Sequence, residues 1–171
     1  SRNATCMAIP TNQAIAPERN SGDLMRKVNQ EQPFHPIYNY AFITDSEEGL
    51  IVVNVNTLAD GLPRNNFLTR ALTWNEGGVL SGARHITMAG HIVYITTPTS
   101  LVVLDLKDPL KPKLVKKIEM QDPRATALQF RYLFVTDAQG LKVFDATQPK
   151  NLKRVAGAKI TLKDLTINNM F

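Results

Sequence analysis

The hydrophobic positions of the chain fall into pairs of short runs separated by tight polar turns. The first run of each pair ends in threonine and covers residues 40–44, 92–96 and 132–136. The second run is a repeated Leu-x-Val phrase at residues 50–55, 101–106 and 141–146. Runs of β-branched and aromatic residues bounded by Gly, Pro, Asp and Ser are typical of β-hairpins. The pattern therefore predicts a strand–turn–strand unit that occurs three times in the chain.

The spacing of these hairpins indicates a repeat architecture. The step is 40 residues from Leu101 to Leu141, and 51 from Leu50 to Leu101, which we interpret as one repeat with an insertion of about 11 residues within 58–82. A period near 40 with several strands per unit is typical of a propeller blade. Helical repeats of this length would need apolar residues at i, i+3, i+4 and i+7 over longer segments.

Each repeat is predicted to hold four strands, A to D. Strand A lies around 85–88 or 125–128, strands B and C are the paired runs, and strand D lies at 114–118 or 152–155. Strands B and C are apolar on both faces, as expected for strands sandwiched between neighbouring blades. Lysines crowd strand D, which fits an outermost strand with a free edge.

The predicted fold class is all-β: four-stranded antiparallel propeller blades after an irregular N-terminal arm or linker at 1–37. The blades cover 38–82, 83–122 and 123–162, and a further one begins at 163–171. A closed propeller takes four to eight blades, so this one is incomplete. We therefore expect a piece of a longer protein, or a subunit whose remaining blades come from another chain. Residues 33–37 replace strand A of the first blade, which we expect to be completed from elsewhere.

The third copy of the repeat resembles a known family most clearly. The residues that carry the resemblance are Tyr132-Leu-Phe-Val-Thr-Asp137, Gly140, Leu141, Val143 and Asp145. Over residues 38–171 the chain resembles the LVIVD-repeat family, which are β-propellers of secreted or cell-surface proteins. Some members occur in large exported proteins with multihaem cytochrome segments. The resemblance implies an extracellular or cell-surface location and a cytochrome partner in an electron-transport assembly. It supplies no common catalytic residue.

Charge and cysteine content narrow the partners and cofactors. The net charge is +5, but the lysines are spread over edge strands without an aromatic platform, so we expect no nucleic acid. No apolar run approaches the roughly 20 residues of a transmembrane segment. Cys6 is the sole cysteine; pairing with a cysteine outside these residues and a free thiol both stay open. Without Cys-x-x-Cys-His, no covalent haem is expected within the chain.

Two histidines are weak candidates for metal ligands. His85 is predicted on strand A, which lines the central channel, and His91 lies near the turn between strands A and B. Imidazole is a common metal ligand. A whole strand separates the two rings, however, so structural or solvent-exposed roles are favoured.

Arg84 and Arg124 recur at the same repeat position and are candidates for interaction. A ring of such arginines could bind an anion; pairing with an aspartate that ties blades together is favoured. The candidate aspartates are Asp105, Asp122 and Asp145. Trp74, in the insertion of the first repeat, either marks an interface or packs into the blade edge.

The sequence favours a non-enzymatic interaction scaffold. It shows no Ser-His-Asp spacing, phosphate-binding loop or glycine-rich dinucleotide motif. The alternative is a metal-binding or enzymatic propeller, with Arg84, His85 and Arg124 converging at the channel mouth. Asp45 and Asp137 are predicted to accept backbone N–H groups in the hairpin turns.

Overall fold

The computed structural model describes residues 1–10, 35–58 and 61–160 of the chain. Within these ranges the chain forms twelve β-strands, joined by turns and short 3-10 segments, and no α-helix. The strands are β1 Ala4–Ala8, β2 Tyr40–Asp45, β3 Gly49–Asn54, β4 Thr69–Trp74, β5 His85–Ala89, β6 Ile92–Thr96, β7 Ser100–Asp105, β8 Lys113–Glu119, β9 Ala125–Gln129, β10 Tyr132–Asp137, β11 Gly140–Asp145 and β12 Lys153–Ile160.

The strands form three four-stranded antiparallel sheets, each a blade-like meander. The first sheet holds β1 to β4, the second β5 to β8 and the third β9 to β12, in chain order. The all-β prediction is therefore confirmed, as are the four strands of each repeat. Predicted strand A is β5 or β9, and predicted strand D is β8 or β12.

Strand β1, at one edge of the first sheet, corrects the prediction of an irregular arm at 1–37. Ala4–Ala8 pairs with β2, with Cys6 opposite Thr44 and Ala8 opposite Phe42. The segment was not predicted because it is short, largely exposed and has one β-branched residue, Thr5. The rest of the predicted arm at 11–34 lies outside the described residues, as does the blade start at 163–171.

The second sheet is covered on both faces by its neighbours. Along β7, Val102 and Leu104 belong to the cluster shared with the first sheet, whereas Leu101 and Val103 belong to the cluster shared with the third. All four side chains are fully buried. Because successive strand residues point to opposite faces, an uninterrupted apolar run is what a sandwiched strand requires.

The first strands of the three sheets, β1, β5 and β9, lie side by side and run in the same direction. The Thr5 hydroxyl, near the start of β1, donates to the carbonyl of Ala83, just before β5, at 2.9 Å. The Thr87 hydroxyl of β5 donates to the carbonyl of Thr126 in β9, also at 2.9 Å. Equivalent connections of the three sheets therefore gather at the same end of the molecule.

This arrangement creates two rims. The polar rim, at which β1, β5 and β9 begin, consists of residues 1–3, 46–48, 75–84, 97–99, 120–124 and 138–139, with the strand residues that border them. The apolar rim, at which these strands finish, consists of residues 9–10, 35–39, 55–58, 61–68, 90–91, 106–112, 130–131 and 146–152.

Candidate functional site

The apolar rim collects the exposed hydrophobic side chains of the described residues. Those on its connections are Ile9, Leu58, Leu62, Phe67, Leu68, Leu110 and Phe130. Two further ones, Met7 and Leu114, lie near the ends of β1 and β8 that border this rim, whereas the described part of the polar rim carries none. Exposed hydrophobic groups gathered on one surface mark interaction sites.

Phe130 is the most prominent of these side chains. It lies in the two-residue turn between β9 and β10 and is 91% exposed. Its backbone φ is 53°, in the left-handed region. The equivalent turn of the second sheet has Gly90, with φ 59°. Glycine is favoured at such positions because a side chain there is sterically disfavoured. The third sheet thus holds a solvent-exposed aromatic ring where neither burial nor backbone geometry favours it.

A polar groove of about 250 Å³ lies beside this turn. It is lined by Arg131, Asp145, Thr147, Gln148, Asn151 and Lys153. The Arg131 guanidinium lies over the Tyr132 ring, 5.1 Å from its centroid, and donates to the Tyr132 hydroxyl at 3.0 Å. That hydrogen bond raises the pKa of Arg131. The groove therefore presents a fixed cation, Arg131, and a second one, Lys153.

Asp145 is the single carboxylate that lines the groove, and it is hydrogen-bonded to and charge-paired with neighbouring residues. Its Oδ1 accepts hydrogen bonds from the Thr147 hydroxyl at 2.6 Å and the Thr147 amide at 3.0 Å. Its Oδ2 lies 3.6 Å from Arg131 Nε. These hydrogen bonds, followed by the charges of Arg131 and Lys153, lower the pKa of Asp145. The carboxylate is thus ionised and compensated, and the groove keeps a positive balance.

On the polar rim, Arg84 and Arg124 share one carboxylate. Asp122 accepts from Arg84 Nη1 and from Arg124 Nε and Nη2, the last two at 3.0 and 2.9 Å. The hydrogen bonds from Arg84 and then Arg124 lower the pKa of Asp122. Of the three aspartates that the sequence left open, Asp122 is the partner. The arrangement links the second sheet to the third, which is the aspartate pairing that the sequence favours.

The two histidines of the second sheet lie at opposite ends of β5. The Thr126 amide donates to His85 Nδ1 at 3.3 Å, and burial lowers the pKa of His85, so a neutral ring joins the second and third sheets. His91 lies on the apolar rim, stacked on His35 with the ring centroids 6.2 Å apart, and its Nε2 is 3.8 Å from Asp105. The described part of the chain contains no group of three side chains arranged to hold a metal.

Trp74 and Cys6 both lie against the core of the first sheet. Trp74 is the last residue of β4, pairs with Leu50 and packs half-buried against the cluster between the first and second sheets. Cys6, in β1, carries a free, half-buried thiol that contacts the same cluster. Neither side chain joins the groove or the exposed residues of the apolar rim.

The hairpin turn of the first sheet is organised by Asp45, as predicted. Its Oδ1 accepts from the amides of Glu47 and Glu48, both at 2.9 Å. Its Oδ2 accepts from the Ser1 hydroxyl and the amides of Arg2 and Asn3 at 2.8–3.0 Å. Burial raises the pKa of Asp45, but these hydrogen bonds together hold it well below its usual range. The carboxylate thereby fixes residues 1–3 beside the start of β1.

The hairpin turn of the third sheet also uses an aspartate, with a different second partner. Asp137 Oδ1 accepts from the amide of Gln139 at 2.8 Å, which confirms the predicted turn. Its Oδ2 pairs with the ammonium of Lys142. Both residues are buried. This turn therefore encloses an ion pair in the interior.

Sequence reasoning missed Phe130 and the groove. Aligning the repeats would have shown the signal, because the 40-residue step places Phe130 against Gly90. No protein-family model matches this sequence, and no curated protein matches it either. Within the described ranges, the chain contains no helix with the length and apolar character needed to cross a membrane.

Proposed function

We propose that this chain contributes successive blades of a β-propeller and works as a non-enzymatic interaction scaffold whose binding face is the apolar rim. One observation carries the proposal: exposed hydrophobic side chains collect on one rim, whereas the described part of the other rim carries none and pairs Arg84 and Arg124 with Asp122. A scaffold needs one end that holds the sheets together and another that is left open to a partner.

The packing of the sheets supports the propeller. The second sheet is covered on both faces, and the first strands of the three sheets are adjacent and run in the same direction. On the third sheet, Leu133 and Val135 contact the second sheet, so the alternate residues Phe134 and Val143 face away from it. These two are only half-buried, and a further blade from the same protein or another subunit would cover them.

The resemblance to LVIVD repeats extends the proposal to an exported, cell-surface protein with a cytochrome partner. Its support is the repeat itself, in three copies. Co-purification of the intact native protein with a haem absorption band would support the cytochrome partner, and purification without haem would count against it.

Site-specific photo-crosslinking in the native host tests the binding face. A photoreactive amino acid is placed at position 130 or 110 on the apolar rim, or at the exposed Gln139 on the polar rim as a matched control. Adducts are expected at 130 and 110 well above those at 139. Equal yields on the two rims would contradict the proposal.

A further inference from the structure

We infer that the apolar rim docks on an anionic lipid bilayer, with the Phe130 turn inserted among the lipids and the adjacent groove holding a lipid phosphate. The inference rests on the proposed function, since it takes the apolar rim as the binding face. The new element is the chemical class of the partner, an anionic lipid surface.

The distribution of the exposed side chains favours a bilayer over a protein. Those with the largest exposed fractions on separate connections are Phe130 with 91%, Phe67 with 59% and Ile9 with 52%. A protein interface concentrates its binding energy in a packed, shape-complementary centre. A bilayer accepts apolar side chains at any spacing on one surface, because the lipids rearrange around each one.

The charges on the same connections fit an anionic surface. Basic side chains alternate there with the hydrophobic ones, at Arg64, Lys107, Lys111, Arg131 and Lys150. On the connections 61–68, 106–112, 130–131 and 146–152 the single acidic residue is Asp108, which is itself 3.6 Å from Lys111. Cations beside apolar anchors are attracted to anionic headgroups.

The groove supplies a place for one such headgroup. Arg131 and Lys153 line it, and the amide side chains of Gln148 and Asn151 add hydrogen-bond donors. The carboxylate of Asp145 is compensated by Thr147 and Arg131, as described above. A phosphate in the groove would meet cations and donors within reach of the Phe130 turn.

The backbone of Phe130 gives the independent argument. The equivalent turn of the second sheet uses Gly90, which satisfies the same left-handed geometry without strain. Strained positions persist where they serve a function. Insertion of the ring into lipid accounts for keeping a large apolar side chain at a position that suits glycine.

The test is sedimentation of the full chain with phosphatidylcholine vesicles that contain or lack phosphatidylserine. Binding is expected only with phosphatidylserine, and it should weaken as salt is raised. Phe130→Gly should lower the partition coefficient about tenfold, since one buried phenylalanine is lost. Lys153→Gln should lower it several-fold, whereas Lys117→Gln, which removes the same charge from the middle of β8, should leave it unchanged.

Two outcomes would overturn the lipid inference: unchanged binding of Phe130→Gly, or equal binding to both kinds of vesicle. If vesicles do not bind but position 130 still crosslinks to a protein more than position 139 does, the partner is a protein. In that case the lipid inference is wrong while the proposed function stands. Equal crosslinking at both positions contradicts the proposed function itself.

Discussion

The two rims of the molecule use their side chains in opposite ways. On the polar rim, Asp45, Asp122 and Asp137 each accept hydrogen bonds from the protein itself, and two of them join separate parts of the chain. On the apolar rim, Phe130 and Phe67 remain in water. The difference indicates that the polar rim stabilises the fold, and it supports the proposal that the apolar rim binds a partner.

Within the polar rim, the equivalent hairpin turns of the three sheets are stabilised by different side chains. The first sheet closes the turn with Asp45, which also accepts from the amides of Arg2 and Asn3. The second uses a neutral pair, Thr97 and Ser100, with 2.8 Å between their hydroxyl oxygens. The third uses the ion pair of Asp137 and Lys142. The repeated fold requires a satisfied turn and not one particular residue, so the dependence on charge should differ between sheets.

The largest effect is expected from Lys142→Val, which removes one partner of the buried ion pair. Asp137 has no exposed side-chain surface and would be left as an unpaired buried charge. We expect a loss of about 3–5 kcal/mol in the free energy of unfolding. Urea denaturation at neutral pH measures it.

The matched control replaces both partners of the ion pair by the neutral residues that the second sheet has at the same repeat positions. Positions 137 and 142 correspond to Thr97 and Val102. The double variant Asp137→Thr/Lys142→Val should therefore recover most of the loss, because a buried ion pair can often be replaced by neutral residues at little cost. A double variant as unstable as Lys142→Val alone would show that the charge pair itself is needed.

The contrast between local and distant contacts explains what the sequence could predict. The paired runs at 92–96 and 101–106 predict a hairpin, because the two strands and the turn between them are adjacent in the sequence. Strand β1 is separated from β2 by more than 30 residues, and its short, exposed pattern carries no information about its partner. The same holds for the site: the repeat shows that Arg84 and Arg124 are equivalent, but only the packing of the sheets selects Asp122.

A smaller, pH-dependent effect is expected from Asp45→Asn. Because the folded-state pKa of Asp45 lies below its unfolded value, its contribution is present above the unfolded pKa and is lost as pH falls toward the folded one. At neutral pH the variant should lose about 2 kcal/mol. Below the unfolded pKa of about 3.9, its difference from the wild type should shrink by about 1.4 kcal/mol per pH unit. Urea midpoints across this range measure it; a constant difference would mean that the charge contributes nothing.

The smallest effect, of opposite sign, is expected on the apolar rim. Phe130→Gly should raise the free energy of unfolding by roughly 0.5–1 kcal/mol, because glycine adopts the left-handed geometry without strain and the exposed ring contributes little packing. The reciprocal Gly90→Ala should lower it by about 1 kcal/mol, since an added Cβ would meet no atom within 4 Å and the cost is conformational. Thermal denaturation measures both. If Phe130→Gly were destabilising instead, the Phe130 ring would contribute to the stability of the fold. That result would contradict the proposed separation between a stabilising polar rim and a binding apolar rim.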